Sequence, residues 1–382
     1  MRNFILILLI LVAVNIAICV YTKYPSIGTP LGETKPQSLD KSSHSYFKFD
    51  PNMNPNNNMV SQLSVSFKNC FDQHGIPPAS SDDTASMLFF KLLTDYKNIQ
   101  KKVLHPSYPP RMIFSLLCID KLASKSEMYT ILSDASHSLT NSYTPKTYVL
   151  NHDEDMKALL SGYDSKKLYI LKKNIQRQQG CTITNNIEYV KQAAKNNYVV
   201  CQELLRNVFT INGHKINIRQ YLVITVKSKC TFYLYNDGFI YYAPKKYAVD
   251  SHDTDRHITT GYIDRRIYET NPMTTRELFK HIGPAKARKL KENLVNMFGF
   301  VAMAYKSIIE KHDSNQHTNF VILGCDVAID KQLGCKLMEI NKGPDLTYKD
   351  NGRDMVVKKT LVENTLHELG VINSPHDNFM QI

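Results

Sequence analysis

Residues 325–346 read CDVAIDKQLGCKLMEINKGPDL. Two short apolar runs flank DKQLG, a turn-forming stretch, and the pattern predicts a β-hairpin. Glu339 and Asn341 are two apart on one strand and share a face. A turn centred near Gln332 brings Asp326 opposite Glu339, to within about two residues of register. Two carboxylates and an amide then converge. Two readings are open: the three sit solvated at strand ends, or they are enclosed. Enclosed and unpartnered, they would be costly to bury. A hard cation such as Mg²⁺ removes that cost, since it takes oxygen ligands and completes its shell with waters and phosphates.

The chain has 382 residues, enough for two or three lobes. Its 43% hydrophobic and 21% charged content suits a folded globular protein. A formal net charge of +12 favours an acidic partner: a nucleotide, an acidic polypeptide, nucleic acid or a membrane surface. No Arg-rich run with interleaved aromatics occurs, which sets nucleic acid aside; a merely basic surface remains open. The eight cysteines form no CxxC pair and no zinc-type His/Cys spacing, and read as reduced core thiols.

The N-terminus begins MRNFILILLILVAVNIAICVYTK. Residues 4–21, as a helix about 27 Å long, approach a hydrocarbon core of about 30 Å. A signal peptide cleaved near Val20 is the rival, but the apolar run is long for one. The expectation is a transmembrane anchor at 4–21, its orientation not readable from the flanking charges. A flexible Pro/Ser/Asn-rich linker follows over 22–60. Lobes are expected at 61–165, 166–226 and 227–355, and a tail at 356–382.

Along the body, KKLYILKKN and NYVVCQELL read as strands. KINIRQYLVITV alternates, with Ile216, Ile218, Gln220, Leu222 and Ile224 on one face. CTFYLYNDGFIYYA reads as two strands joined at Asn236-Asp237-Gly238. Residues 286–311 carry a helical stripe of Leu290, Leu294, Met297, Val301, Tyr305 and Ile308. Hairpins and large helices without a βαβ series make the fold class α+β. Neither GxGxxG nor GxxxxGK[ST] is present.

Four blocks in order resemble the tubulin–tyrosine ligase family, with its glutamylating and glycylating relatives. They are YILKKNIQRQQGCTI, VVCQELLRNVFTINGHKINIRQYLVIT, FYLYNDGFIYYA and GCDVAID…KLMEINKGPDL. Weaker echoes are CIDKLASK and YTPKTYVLNHDEDMKALL. The resemblance spans roughly residues 85–350 and implies the ATP-grasp fold, with ATP and Mg²⁺ as cofactors. It assigns Asp326, Glu339 and Asn341 to the metal. Lys172 falls on the ATP phosphates, with QRQQG after it as a mobile loop. Gln202, Glu203 and Leu204 fall beside adenine, and Lys215 and Arg219 face ATP and the transferred phosphoryl group as the catalytic pair.

Three positions depart from the family pattern. Its aspartate in K-F-D-[IL]-R is Asn217. The arginine that holds the amino-acid carboxylate is Tyr241, and a further metal-binding asparagine is Thr260. Tyrosine carries no guanidinium charge; Lys245, Lys246, Arg265 and Arg266 are the nearby bases that could replace it. The resemblance implies an ATP-dependent carboxylate–amine ligase that adds an amino acid to an acidic acceptor, such as a tubulin tail, through an acyl phosphate. The alternative is a membrane-tethered ATP-binding protein without ligase activity. ATP use and reduced thiols place the body of the single-pass chain in the cytosol.

Overall fold

A computed structural model describes residues 47–49, 61–81, 84–89, 110–175, 180–313, 316–349, 352–373 and 378–382. These fall within one compact unit, residues 44–382. Two sheets organise them. The smaller holds β4 (Thr147–Val149), β5 (Tyr169–Lys173), β6 (Cys181–Thr184) and β7 (Tyr198–Glu203), all antiparallel in the order β4-β7-β5-β6.

The larger sheet has nine strands. Its path begins with β1 (Phe47–Phe49), β2 (Met87–Phe89) and β3 (Met112–Phe114), which are parallel. It continues through β11 (Thr318–Ile329), β9 (His214–Val226), β10 (Cys230–Tyr242) and β13 (Phe379–Gln381). Two strands lie off that path: β8 (Thr210–Ile211) pairs with β9, and β12 (Cys335–Lys342) pairs with β11. The architecture is the mixed α+β one read from sequence.

The strand with the clearest alternation, β9, is buried on both faces. Its inner apolar row packs into the main core with Leu290, Leu294, Met297, Val301 and Tyr305 of the helix Pro284–Asp313. The opposite row, Lys215, Asn217 and Arg219, meets the functional cavities instead. Alternation here separates an apolar layer from a polar interior, not core from solvent.

Several expectations are corrected. No helix among the described residues is long and apolar enough to cross a membrane, which removes the support for a single-pass membrane placement with a cytosolic body. Residues 4–21 themselves, and 176–179 of the QRQQG loop, lie outside the described residues. Within the stretch read as linker, Phe47–Phe49 forms β1, its Phe47 ring stacked on Phe71. Residues 356–382 contribute most of the helix Arg353–Glu368 and the edge strand β13.

The Asn236-Asp237-Gly238 turn does not reverse the chain. It is a bulge inside the single strand β10, between Leu234 and Gly238, because both halves stay paired to β9. The Gln220 amide fills the bulge by donating to the Tyr235 and Asp237 carbonyls. Asp237 Oδ1 accepts from the Gly238 and Arg276 N–H groups at 2.9 and 3.1 Å. Turn chemistry is thus satisfied locally without a hairpin.

A Cβ at Gly238 would collide with the Arg219 carbonyl oxygen across the bulge. Gly238→Ala is therefore expected to destabilise the protein by about 1–3 kcal/mol. Urea unfolding should show a lower midpoint at unchanged slope; an unaltered midpoint would refute the close approach.

Candidate functional site

Strand register builds the site. Strands β9, β11 and β12 lie side by side, and at one level the paired residues are Arg219, Asp326 and Glu339. A register shift in the β11–β12 pairing follows immediately after Asp326, between it and Val327. The turn is held by Asp330, whose Oδ1 accepts from the Gln332 and Gly334 N–H groups.

Arg219 donates to Asp326 through two bonds, Nε to Oδ1 at 2.6 Å and Nη2 to Oδ2 at 3.0 Å. This planar, two-pronged pairing is arginine's particular chemistry. Both side chains are only 14–15% exposed, so the pair is held away from bulk water. Gly324 keeps the space open: a Cβ there would stand 3.2 Å from Arg219 Cδ and Nη1. The guanidinium carbon lies 4.9 Å from the Tyr241 ring centre, a cation–π contact. Gly261 lies against that same ring.

Glu339 accepts from Asn341 Nδ2 at 3.1 Å, and Lys125 Nζ stands 3.4 Å from its other oxygen. Burial works to raise the Glu339 pKa, but Lys125 and Lys172 outweigh it and hold the carboxyl down at about 2. Burial raises Asp326, against the pull of Arg219. The row is therefore an ionised Glu339 beside an arginine-locked Asp326.

Two cavities meet at this row, and Asp326 and Glu339 line both. The first also holds Arg219, Tyr241, Thr260, Arg265, Asn341, Lys349 and Lys358. The second holds Lys172, Gln202, Glu203, Leu204, Lys215 and Asn217. The metal, ATP and amino-acid candidates assigned by the family resemblance thus line one of two adjoining cavities, and the small sheet supplies Lys172, Gln202 and Glu203 to the second.

The second cavity holds two buried lysines, Lys172 and Lys215. The Lys172 side chain is buried, and the carboxylate that acts on it most strongly is Glu339. The Lys172 pKa is lowered, first by burial. Lys215 Nζ donates to the His257 carbonyl at 2.8 Å. Burial, and then the charge of Lys172, pull Lys215 down to about 7. Asn217 Oδ1 and Gln202 Oε1 are buried without a hydrogen-bond partner. Both oxygens are free to accept a hydrogen bond.

The remaining candidates are engaged. Gln202 Nε2 donates to Thr147 Oγ1 at 2.8 Å. Glu203 lies 3.2 Å from Lys146 and 2.9 Å from Lys167. The Leu204 N–H donates to the Leu168 carbonyl at 2.8 Å. Thr260 bridges to Tyr242 through its N–H, and its hydroxyl accepts from the Tyr262 N–H.

Of the bases proposed to replace the missing arginine, Arg265 alone lines the first cavity. Lys245 is exposed and paired with Asp253 and Asp255, and Arg266 with Asp264. Three lysines escaped the sequence reading. Lys125 lies in the weak CIDKLASK echo. Lys358, buried, donates to the Thr347 carbonyl at 2.6 Å and pairs with Asp354 one helical turn away. Lys349 stands over the Tyr262 ring. No motif marks the last two, since only packing of the helix Arg353–Glu368 brings them to the cavity.

Comparison with known proteins bears on the family of the chain. The sequence profile described as "Tubulin-tyrosine ligase family" matches residues 114–378. The chain is 27% identical over 181 residues to probable tubulin polyglutamylase TTLL9 of Rattus norvegicus, covering 45% of this chain and 38% of that protein. It is 23% identical over 346 residues to tubulin polyglutamylase TTLL6 of Mus musculus, covering 80% and 40% respectively. Similarity to tubulin glycylase 3B of Drosophila melanogaster is 24% over 200 residues, covering 48% and 26%. The chain thus spans two fifths or less of the length of these relatives. The profile covers most of the chain, and the chain belongs to the tubulin–tyrosine ligase family.

Glu339→Gln is expected to lower stability at neutral pH, because Lys125 and Lys172 lose their nearest anion. The folded pKa of about 2 lies below the ordinary 4.5, so this contribution is complete above about 4.5 and is lost as pH falls towards 2. The melting-temperature gap between parent and variant should narrow through that window. A gap independent of pH would exclude the ion-pair role.

Proposed function

We propose that this member of the tubulin–tyrosine ligase family joins an amine to a carboxylate with ATP, adding an amino acid to an acidic protein tail such as tubulin's. One observation carries the reading: two buried lysines and an orphan amide oxygen face two carboxylates across a cavity. Lysines beside oxygen-bearing carboxylates and an amide are complementary to a metal–phosphate ligand, whose phosphates take the lysines and whose cation takes the oxygens.

ATP and Mg²⁺ fit the residues present. Asp326, Glu339 and Asn341 would hold the ion, a hard-oxygen donor set. Lys172 and Lys215 would take the phosphates, and the unpartnered Gln202 Oε1 is an acceptor for the adenine amino group beside Glu203 and Leu204. In this reading the small sheet and the large sheet are the two ATP-grasp lobes. When bound, ATP supplies the phosphoryl group that activates the acceptor carboxylate as an acyl phosphate. The protein's own part is charge neutralisation and positioning. Arg219, fixed by Asp326, presents its charge at the junction of the cavities.

The first cavity is the amino-acid side. Tyr241 stands where the family has its carboxylate-binding arginine, and its ring covers Arg219. Arg265 and Lys349 give that cavity the positive charge that a carboxylate requires. The names of the relatives, polyglutamylases and a glycylase, support amino-acid addition as the class of reaction.

The test uses the full chain with Mg²⁺–ATP, an acidic tail peptide and each amino acid in turn. ADP release should require both the peptide and one amino acid. Nucleotide binding with no such dependence would leave a binding protein without ligase activity, and absence of Mg²⁺–ATP binding would end the reading altogether.

Lys215 adds a pH signature. With its pKa near 7, it is largely neutral in mildly alkaline solution, and a phosphate beside it favours the ammonium. Nucleotide binding should therefore take up a proton and weaken as pH rises above about 7. Calorimetry in buffers of different ionisation heat reads the uptake, and Lys215→Met should remove it. Identical heats in every buffer would place Lys215 outside the phosphate site.

A further inference from the structure

The helices Ser61–Gln73 and Arg353–Glu368 pack against each other on the side of the large sheet that carries the main core. At their contact, Cys70, His74 and Glu363 bring together a thiol, an imidazole and a carboxylate. One ligand atom from each lies within 4.8 Å of the others. His74 is one residue past the helix end at Gln73, and its N–H donates to the Cys70 carbonyl at 3.1 Å, which continues the helical turn. Gly75, at φ +65, then ends the turn. None of the three side chains lines either cavity described above.

We infer that Cys70, His74 and Glu363 form a binding site for a zinc-type divalent ion, separate from the nucleotide cavity. The sulfur, nitrogen and oxygen donors suit Zn²⁺, whereas Mg²⁺ takes oxygen. Tetrahedral zinc, with bonds of ~2.0–2.3 Å, sets its donors roughly 3.3–3.8 Å apart. The triad needs to close by about 1 Å to reach that spacing. The exposed His74 ring has the freedom to do so, while Cys70 is buried and the Glu363 side chain is 17% exposed.

One neighbour bears on the site. Lys359 Nζ stands 3.7 Å from Glu363 Oε1 and competes for the carboxylate. With His74 exposed, the fourth position opens to solvent and takes water.

The ion would join the helix near the start of the described body to the helix near its end. The second helix also supports the first cavity. Asp354 in its first turn accepts from the Lys349 N–H at 2.8 Å, and Lys358 donates to the Thr347 carbonyl. Zinc loading would therefore stiffen the wall that carries Lys349 and Lys358.

The experiment uses the untagged full-length chain, freed of metal and titrated with zinc alone, then with cobalt as a spectroscopic probe. One zinc per chain should bind, raise the melting temperature in a concentration-dependent way, and be indifferent to excess Mg²⁺. Cobalt should produce a thiolate-to-metal charge-transfer band. His74→Ala and Glu363→Gln, both at accessible positions, should lose stoichiometric binding and the zinc-induced shift while melting like the zinc-free parent. Cys70→Ser should lose the cobalt band. A parent chain that binds no zinc, or variants that all bind it as the parent does, would overturn the assignment.

Discussion

The paired guanidinium and carboxylate of Arg219 and Asp326 are the constraint on which the site depends. They hold opposite charges, largely shielded from water, on adjacent strands at one register level. Removing either partner would strand a charge in a low-dielectric interior. The surroundings accommodate the pair: Gly324 leaves it space, Gly238 lets β10 approach the Arg219 backbone, and Tyr241 covers the guanidinium face. A shift of β11 by one residue against β9 would turn Asp326 to the other face of the sheet.

From that pair, the charge pattern extends into two regions of different character. Towards the small sheet, Lys172 and Lys215 are buried cations with lowered pKa values and few compensating groups. Towards the helix Arg353–Glu368, Lys358 is buried but fully engaged with Asp354 and the Thr347 carbonyl. In the proposed reading the first region takes the anion. The second is already satisfied and acts as structure. This asymmetry is why the phosphate side is assigned to Lys172 and Lys215, while the amino-acid side rests on the less confined Arg265 and Lys349.

Glu339 links the regions. Its carboxyl remains ionised because Lys125 and Lys172 flank it from different elements, a helix start and a strand of the small sheet. The site therefore couples both sheets through charge as well as packing, and bound phosphate would redistribute the lysines that now compensate Glu339.

Local pattern was enough for the strands that carry the site. Alternation marked β9, the apolar runs marked β11 and β12, and their spacing brought Asp326 to Glu339, because strand period and turn length are short-range properties. Family motifs then identified residues that line the two cavities. The sequence misled where a local signal had two solutions. Asn-Asp-Gly suits a reversing turn, yet strand pairing on both sides of it made a bulge. Tertiary structure alone decided that Tyr241 stacks on Arg219, that Lys245 and Arg266 are spent on surface pairs, and that Lys125, Lys349 and Lys358 reach the cavities. It also joined Cys70 and His74 to Glu363, almost three hundred residues away. Such contacts depend on how helices dock against a sheet, and docking is set by packing of the whole core, which no short window of sequence contains.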